Sequence, residues 1–370
     1  MIDDLRDRLA RAQKAIADAG LDALLVSPGS DLRYLTGYDA KPLERLTCLV
    51  VPAVGDPSLL VPRLERPAAL ASPVGDLDLA VVPWDETDDP YALAADRIPT
   101  DATAIALDNH MWAEKVLAFR AALPTVDQRL GGAVLDPLRM RKSADEVAQL
   151  RAAGAAIDRV HASMGEWLRP GRTEREVGRD IADAIVAAGH VQTDFVIVGS
   201  GPNAASPHHE LSDRRIELGD PVVVDIGGSV ASGYCSDSTR TYVAGGEPAA
   251  EFTAYYRVLQ AAQEAQCVHA RPGVTAESVD AVGRTMIAEA GYGDRFIHRT
   301  GHGIGLETHE EPYIVEGNEL VLEPGMAFSI EPGIYFEGHH GARIEDIVVV
   351  TADGLERLND TSRDLTILPG

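Results

Sequence analysis

Four carboxylates stand inside apolar strand sequence in the second half of this chain, and they restrict its possible folds more than any other feature. Asp225 lies in VVVDIGG and Asp237 in YCSDSTRTY, while Glu331 lies in MAFSIEPGIY and Glu345 in ARIEDIVVV. A carboxylate in such company is costly unless it is paired, hydrogen-bonded or metal-bound. Asp225 is expected to end its strand. Asp237 follows 12 positions later, with GGSVASG as the turn between, so a hairpin can set the two side by side. GHHG marks a second turn, before Ala342, and a second hairpin then presents Glu331 and Glu345. Either aspartate alone reads equally well as a turn or capping residue; the pair does not. Four converging carboxylates without a cation would repel one another and raise their own pKa values. A divalent metal pair is the natural counter-charge.

Histidine usage points to the same half. Ten of the eleven histidines fall after Arg151, and six of those ten sit in three groups: His208 with His209, His302 with His309, and His339 with His340. His302 lies in TGHGIGLETHEEP, where Gly301, Gly303 and Gly305 are expected to let the backbone bend and approach a ligand. One imidazole and four carboxylates form an oxygen-rich donor set, which suits Mn²⁺, Fe²⁺, Co²⁺ or Zn²⁺ in catalysis and not a thiolate structural site. His208 and His209 by themselves read equally well as surface loop residues. Competing motifs fail. VGSGPNA (198–204) matches GxGxxA after a strand, yet SPHHELSD follows it instead of a helix, which argues against a dinucleotide site. GxSxG, the P-loop, HExxH and CxxC are absent from the sequence.

A chain of 370 residues suggests two domains. Residues 3–19 read as an amphipathic helix ended by Gly20, and 21–29, 77–84 and 103–108 as strands. Residues 46–64 read as two strands around a Gly-Asp-Pro turn, and 113–123 as a helix closed by Pro124. SDLRYLTGYD reads as a loop. Strands alternating with helices make residues 1–140 a smaller α/β domain. Ser143 with Glu146 forms a capping box, which places the boundary near Arg141. Behind it Val147, Leu150, Gly154, Ile157, His161, Met164 and Leu168 recur at helical spacing. Thr173 and Glu176 open the next helix, Gly189 closes it, and 251–270 and 276–291 supply two more. Residues 141–370 are therefore expected to place helices over a largely antiparallel sheet, an α+β chain overall.

Composition bounds the rest. Apolar residues are 45% and charged residues 25%, enough for a full core without a structural metal. The net charge of −25 argues against a nucleic-acid partner. Cys48, Cys235 and Cys267 are scattered and form no disulfide framework. The N-terminal MIDDLRDRLA lacks an apolar signal segment and no apolar run approaches ~20 residues, so a cytoplasmic location and no membrane are expected.

VVVDIGG…CSDSTRT, TGHGIGLETHEEP, SIEPGIY and GARIEDIVVV, in this order, resemble the metal-dependent proline peptidases of the pita-bread fold: prolidases and aminopeptidases P. LDALLVSPGSDLRYLTGY and LRMRKSADEVAQLRAAGAAID resemble that family's creatinase-like N-terminal domain and inter-domain segment, so the likeness covers nearly the whole chain. It is similar above all to short bacterial Xaa-Pro dipeptidases. The resemblance implies a curved pita-bread catalytic domain and metal ligands at Asp225, Asp237, His302, Glu331 and Glu345. Asp237 and Glu345 would bridge two ions, with Mn²⁺ first expected and Co²⁺, Zn²⁺ or Fe²⁺ as alternatives. The aspartate spacing is one residue longer than in many members, and that residue falls in the turn. The resemblance further implies catalytic roles for His208, His309, Glu331 and Arg343. The reaction implied is hydrolysis of the Xaa-Pro bond of dipeptides with a free N-terminus, by a water that the metal pair activates, in a homodimer. The alternatives are an aminopeptidase P acting on longer peptides, and a metal-free binding module or creatinase-like C–N hydrolase.

Overall fold

In the computed structural model, residues 2–370 are described, and they divide into two compact units that meet between Arg139 and Met140. The first unit is built on a six-stranded mixed sheet in the order Ala80–Trp84, Ser58–Pro62, Cys48–Pro52, Ala23–Val26, Ala104–Leu107, Asp127–Leu130. Its central strands are apolar and buried along their whole length, as covered strands must be. Residues 30–36 correct the loop expectation for SDLRYLTGYD. They form a helix with Leu32, Tyr34 and Leu35 buried, stopped by Gly37 in the left-handed region at φ 69°. Only a glycine takes that conformation without a Cβ penalty.

The second unit carries a four-stranded sheet and a five-stranded sheet. The first runs Thr366–Leu368, Cys235–Ala244, Pro221–Ser229, Gln192–Ser200. The second runs Glu310–Ile314, Gly301–Gly303, Ala327–Ile330, Asp346–Val350, Leu355–Arg357. The helices Ala144–Ala162 and Glu174–Ala187 start at Ser143 and Thr173, each inside a reciprocal capping box. The expected continuous helix to Leu168 breaks at Ser163, and Met164–Trp167 forms a separate short turn of helix. Ile157, Val160, Val177, Ile181 and Ile185 of these helices pack on Val222, Val224 and Ile226. Burial of each such side chain contributes about 1.5–3 kcal/mol. The helices Ala250–His269 and Ala276–Glu289 cover the rest, placing Cys267, Ala276 and Val279 against Phe328, Ile330 and Val348.

The two-residue period of the strand Pro221–Ser229 decides what the second unit can hold. Val222, Val224 and Ile226 go to the helices, so Val223, Asp225 and Gly227 face the other way. Antiparallel register sets Asp225 opposite Thr239 and Gly227 opposite Asp237. A slip of one residue in either strand would turn its aspartate toward the apolar core. Arg240, one position off this face, is buried and donates to Asp346 at 2.7 Å, tying the strand Cys235–Ala244 to Asp346–Val350.

Candidate metal centre

Asp225 sits in the middle of a nine-residue strand and not at its end, as expected from VVVDIGG. The hydrophobic run continues past it because Ile226 points to the helices while Asp225 does not. Glu331 and Glu345 differ from expectation in a related way. MAFSIEPGIY is two strands, Ala327–Ile330 and Gly333–Phe336, and the chain opposite is likewise two, His340–Arg343 and Asp346–Val350. The outer pair, Ala327–Ile330 with Asp346–Val350, belongs to the five-stranded sheet. The inner pair, Gly333–Phe336 with His340–Arg343, forms its own ribbon. Glu331 and Glu345 occupy the two facing breaks, where the ladder is interrupted and the side chains can turn inward. The turn closes at Gly338, with φ 75°, and His340–Gly341 already belong to the strand.

These devices converge. Ligand oxygens of Asp225, Asp237 and Glu345 lie within 4.8 Å of one another, as do ligand atoms of His302, Glu331 and Glu345. His302 Nε2 is 3.2 Å from Glu331 and 3.6 Å from Asp237. Its Nδ1 is 3.1 Å from the Gly303 carbonyl and donates to it in the matching tautomer, which leaves Nε2 bare toward the carboxylates. Asp225, Asp237, His302 and Glu345 are all less than a tenth exposed.

The surrounding polar groups fix the carboxylates and leave some of their oxygens open. Arg343 donates to Asp225 at 2.6 Å, to Thr239 Oγ1 at 3.1 Å and to the Tyr335 hydroxyl at 2.9 Å. Thr239 donates to Glu345 at 2.7 Å, and Ser329 to Glu331 at 3.0 Å. Asp225 Oδ1 and Glu345 Oε1 remain buried with no hydrogen-bond partner among the described residues. Such atoms are expensive unless a cation meets them. The electrostatics agree. Burial, then the charge of Glu345, pushes Asp237 well above the ordinary carboxylate range, and burial with the neighbouring Glu331 does the same to Glu345. Burial alone would raise Glu331, yet His302 pulls it down to about 2. Donor set, burial and orphaned oxygens fit divalent metal.

His309 stands beside His302 with ring centroids 3.9 Å apart, and its ligand atom also clusters with those of Asp237 and His302. Burial, then the charges of His302 and Arg299, lowers its pKa to about 4, so it is neutral at pH 7. His208 and His309 line the same cavity of about 1170 Å³ as the carboxylates. Phe195, Ile197 and Ile297 form its apolar wall. The glycines around His302 act differently from expectation. A Cβ on Gly301 would lie 1.8 Å from the Ser329 carbonyl, and one on Gly303 2.1 Å from the Glu311 carbonyl. They admit neighbouring strands and not a ligand.

Sequence reading passed over Glu174, whose only visible mark was its place inside a helix start. It is fully buried and accepts hydrogen bonds from Ser200 N and Oγ, Asn203, His209 and Ser212. It thereby holds both ends of the segment that carries His208, while Arg343 reaches the Pro207 carbonyl at 3.3 Å. His209 belongs to this anchor. His339 and His340 lie at the far turn, where His340 bonds Tyr255.

Comparison with known proteins agrees with this geometry. Residues 148–352 match metallopeptidase family M24, and residues 8–141 match the creatinase/prolidase N-terminal domain. The chain is similar to the dipeptidase PepE from Mycobacterium ulcerans, with a TM-score of 0.95 and 52% identity over 100% of this chain and 99% of that one. It is similar to a prolidase from Thermococcus sibiricus, with a TM-score of 0.91 and 36% identity over 99% of each chain. A Xaa-Pro dipeptidase of Lactobacillus delbrueckii subsp. lactis is 38% identical over 98% of this chain and 99% of its own.

Proposed function

This chain belongs to metallopeptidase family M24 and is a metal-dependent hydrolase with the pita-bread fold, and from that premise we propose that it hydrolyses the Xaa-Pro bond of dipeptides. The observation that carries the reading is the buried set of four carboxylates and His302, two of whose oxygens lack any partner among the described residues. In this reading Asp225, Asp237, His302, Glu331 and Glu345 hold two divalent ions, Mn²⁺ first among them. Bound there, divalent metal supplies Lewis acidity toward the scissile carbonyl and lowers the pKa of a water to near neutrality.

The chain's own residues do the rest. Glu331, held ionised, takes up a proton and returns it to the scissile nitrogen. That delivery matters because proline must leave as an amine and not as an anion. Neutral His309 donates a hydrogen bond to the oxygen on which charge develops, and His208 aligns the substrate from the opposite loop. One such donor is worth ~3 kcal/mol in a dry site. Arg343 orients Asp225 through its 2.6 Å contact and opposes the burial that raises its pKa. The carboxylate-rich end of the site receives the free N-terminal amine. No helix among the described residues is long and apolar enough to cross a membrane. Homodimerisation, on the family resemblance alone, and a cytoplasmic location complete the reading.

The test is hydrolysis of Ala-Pro, Ala-Pro-Ala, acetyl-Ala-Pro and Met-Ala by metal-loaded and chelator-stripped protein. Ala-Pro should be cleaved fastest, the acetylated form poorly, and the stripped protein should recover with Mn²⁺. Faster cleavage of Ala-Pro-Ala would make it an aminopeptidase P. Full activity after stripping would refute the metal-dependent reading.

A further inference from the structure

We infer that the buried ion pair between Lys142 and Glu310 positions His309 for its hydrogen bond to the reacting oxygen; the inference rests on the reading of His309 given above. His309 is an exposed residue lining the cavity, and its ring makes no hydrogen bond among the described residues; it stands against the His302 ring, 3.9 Å between centroids. Something other than a bond of its own must set where its N–H points. The next residue is held firmly. Glu310 opens the strand Glu310–Ile314 and lies opposite Gly303 in its register, so residues 304–309 form a loop clamped at this pair. The Glu310 carboxylate meets Lys142 Nζ at 2.5 Å across 168 positions of chain, with side chains 6% and 1% exposed. It also packs on the start of the loop: a Cβ on Gly305 would lie 2.6 Å from Glu310 Oε1.

Lys142 is a fixed base for this clamp. Its backbone N–H donates to the Gly325 carbonyl at 2.9 Å, Arg141 before it bridges to Met326, and Ser143 after it caps the helix Ala144–Ala162. A lysine stem is flexible in water, but burial and one short charge-assisted bond leave this one a single place to be. Stability alone does not account for such a pair. Taking two charges out of water can cost as much as their attraction returns, and apolar side chains of similar volume often hold a fold as well or better. What the pair supplies and apolar packing does not is a directional contact at a fixed length. A donor to a developing charge needs that, because a misplacement of ~1 Å can cost ~10²-fold in rate. Neither Lys142 nor Glu310 lines the cavity, so the pair acts on the reaction through His309.

The experiment measures Ala-Pro kinetics, metal content and Tm on Mn²⁺-loaded wild type, Lys142→Met, Lys142→Met combined with Glu310→Leu, and Glu310→Gln, each with His309 present and in the His309→Ala background. Lys142→Met alone leaves Glu310 buried without its cation and should lower Tm. The double variant, apolar at both positions, should regain most of that Tm and keep its metal, yet stay roughly 10-fold below wild type in kcat with KM little changed. In the His309→Ala background the same double substitution should change kcat by less than about twofold, since the residue through which the pair acts is gone. Glu310→Gln keeps the shape and loses the charge; its kcat should fall in the same His309-dependent way, and it supplies the reading if the double variant does not fold. Variants with wild-type kcat, or an equal loss of kcat in both backgrounds, overturn the positioning role while leaving the peptidase reading in place. Wild type that does not cleave Ala-Pro, or a His309→Ala protein with wild-type kcat, overturns the reading of His309 itself and this inference with it.

Discussion

Replacing Glu174 tests whether the loop carrying His208 is held from beneath. The Glu174 carboxylate meets Ser200 N at 2.8 Å, Ser200 Oγ at 2.7 Å, Asn203 Nδ2 at 3.0 Å and His209 Nε2 at 2.8 Å, with Ser212 as a further donor. Burial alone would raise its pKa, but these donors hold it below the ordinary glutamate value. In Glu174→Ala the hydroxyls can turn to other acceptors and the Asn203 amide keeps Ser212 Oγ at 3.3 Å, whereas the buried Ser200 N–H is stranded. One stranded buried donor at ~1–3 kcal/mol, with lost charge-assisted bonds at ~1.5–3 kcal/mol, sums to roughly 3–6 kcal/mol. That is a large share of the ~5–15 kcal/mol that holds a typical domain. Glu174→Gln keeps the shape and one acceptor oxygen but turns an N–H toward donors, so it should lose about half as much. Urea unfolding of metal-loaded protein measures the stability, and Ala-Pro kinetics measure the consequence for His208. Activity should fall in Glu174→Gln with metal content intact. A Glu174→Ala protein within ~0.5 kcal/mol of wild type, with unchanged kcat and KM, would refute the reasoning.

Asp237→Ala should abolish activity and remove the rise in Tm that Mn²⁺ gives wild type, which by mass action is worth ~2.7 kcal/mol at 100 times Kd; an undiminished rise would place the metal elsewhere. Burial and neighbouring carboxylates raise Asp237 and Glu345, so metal-free folded protein binds more protons there than the unfolded chain and loses stability as pH rises through the raised values. Metal relieves that charge, so the Mn²⁺-induced gain in Tm should be larger at pH 8 than at pH 6, and a gain that shrinks with pH would contradict the electrostatics. His309→Ala should keep its metal and fold yet lose ~10²-fold in kcat, whereas His302→Ala should lose metal together with activity. A His309→Ala variant that lowers only Tm would make His309 a packing residue.

Much of the fold was legible because local chemistry dictates it. Ser143 with Glu146 and Thr173 with Glu176 announced two helix starts, and both capping boxes form. The carboxylates in apolar strands announced a shared charged site, since nothing local could satisfy them. What sequence could not supply was direction. VVVDIGG does not say that Asp225 lies at mid-strand and shares a face with Asp237, because register belongs to the pairing and not to the strand. SIEPGIY and ARIEDI do not announce that each strand breaks at its glutamate, since the break needs the facing break to be stable. Glu174 and the pair of Lys142 with Glu310 were hidden for the same reason. A buried glutamate at a helix start looks like any helix-start glutamate until 26 residues further on Ser200 returns to meet it. Lys142 and Glu310 stand 168 residues apart and read as solvated charges until the fold buries them together. The amino-acid sequence determined which residues could carry metal and peptide chemistry; tertiary contact decided which of their atoms were left with nothing else to bind.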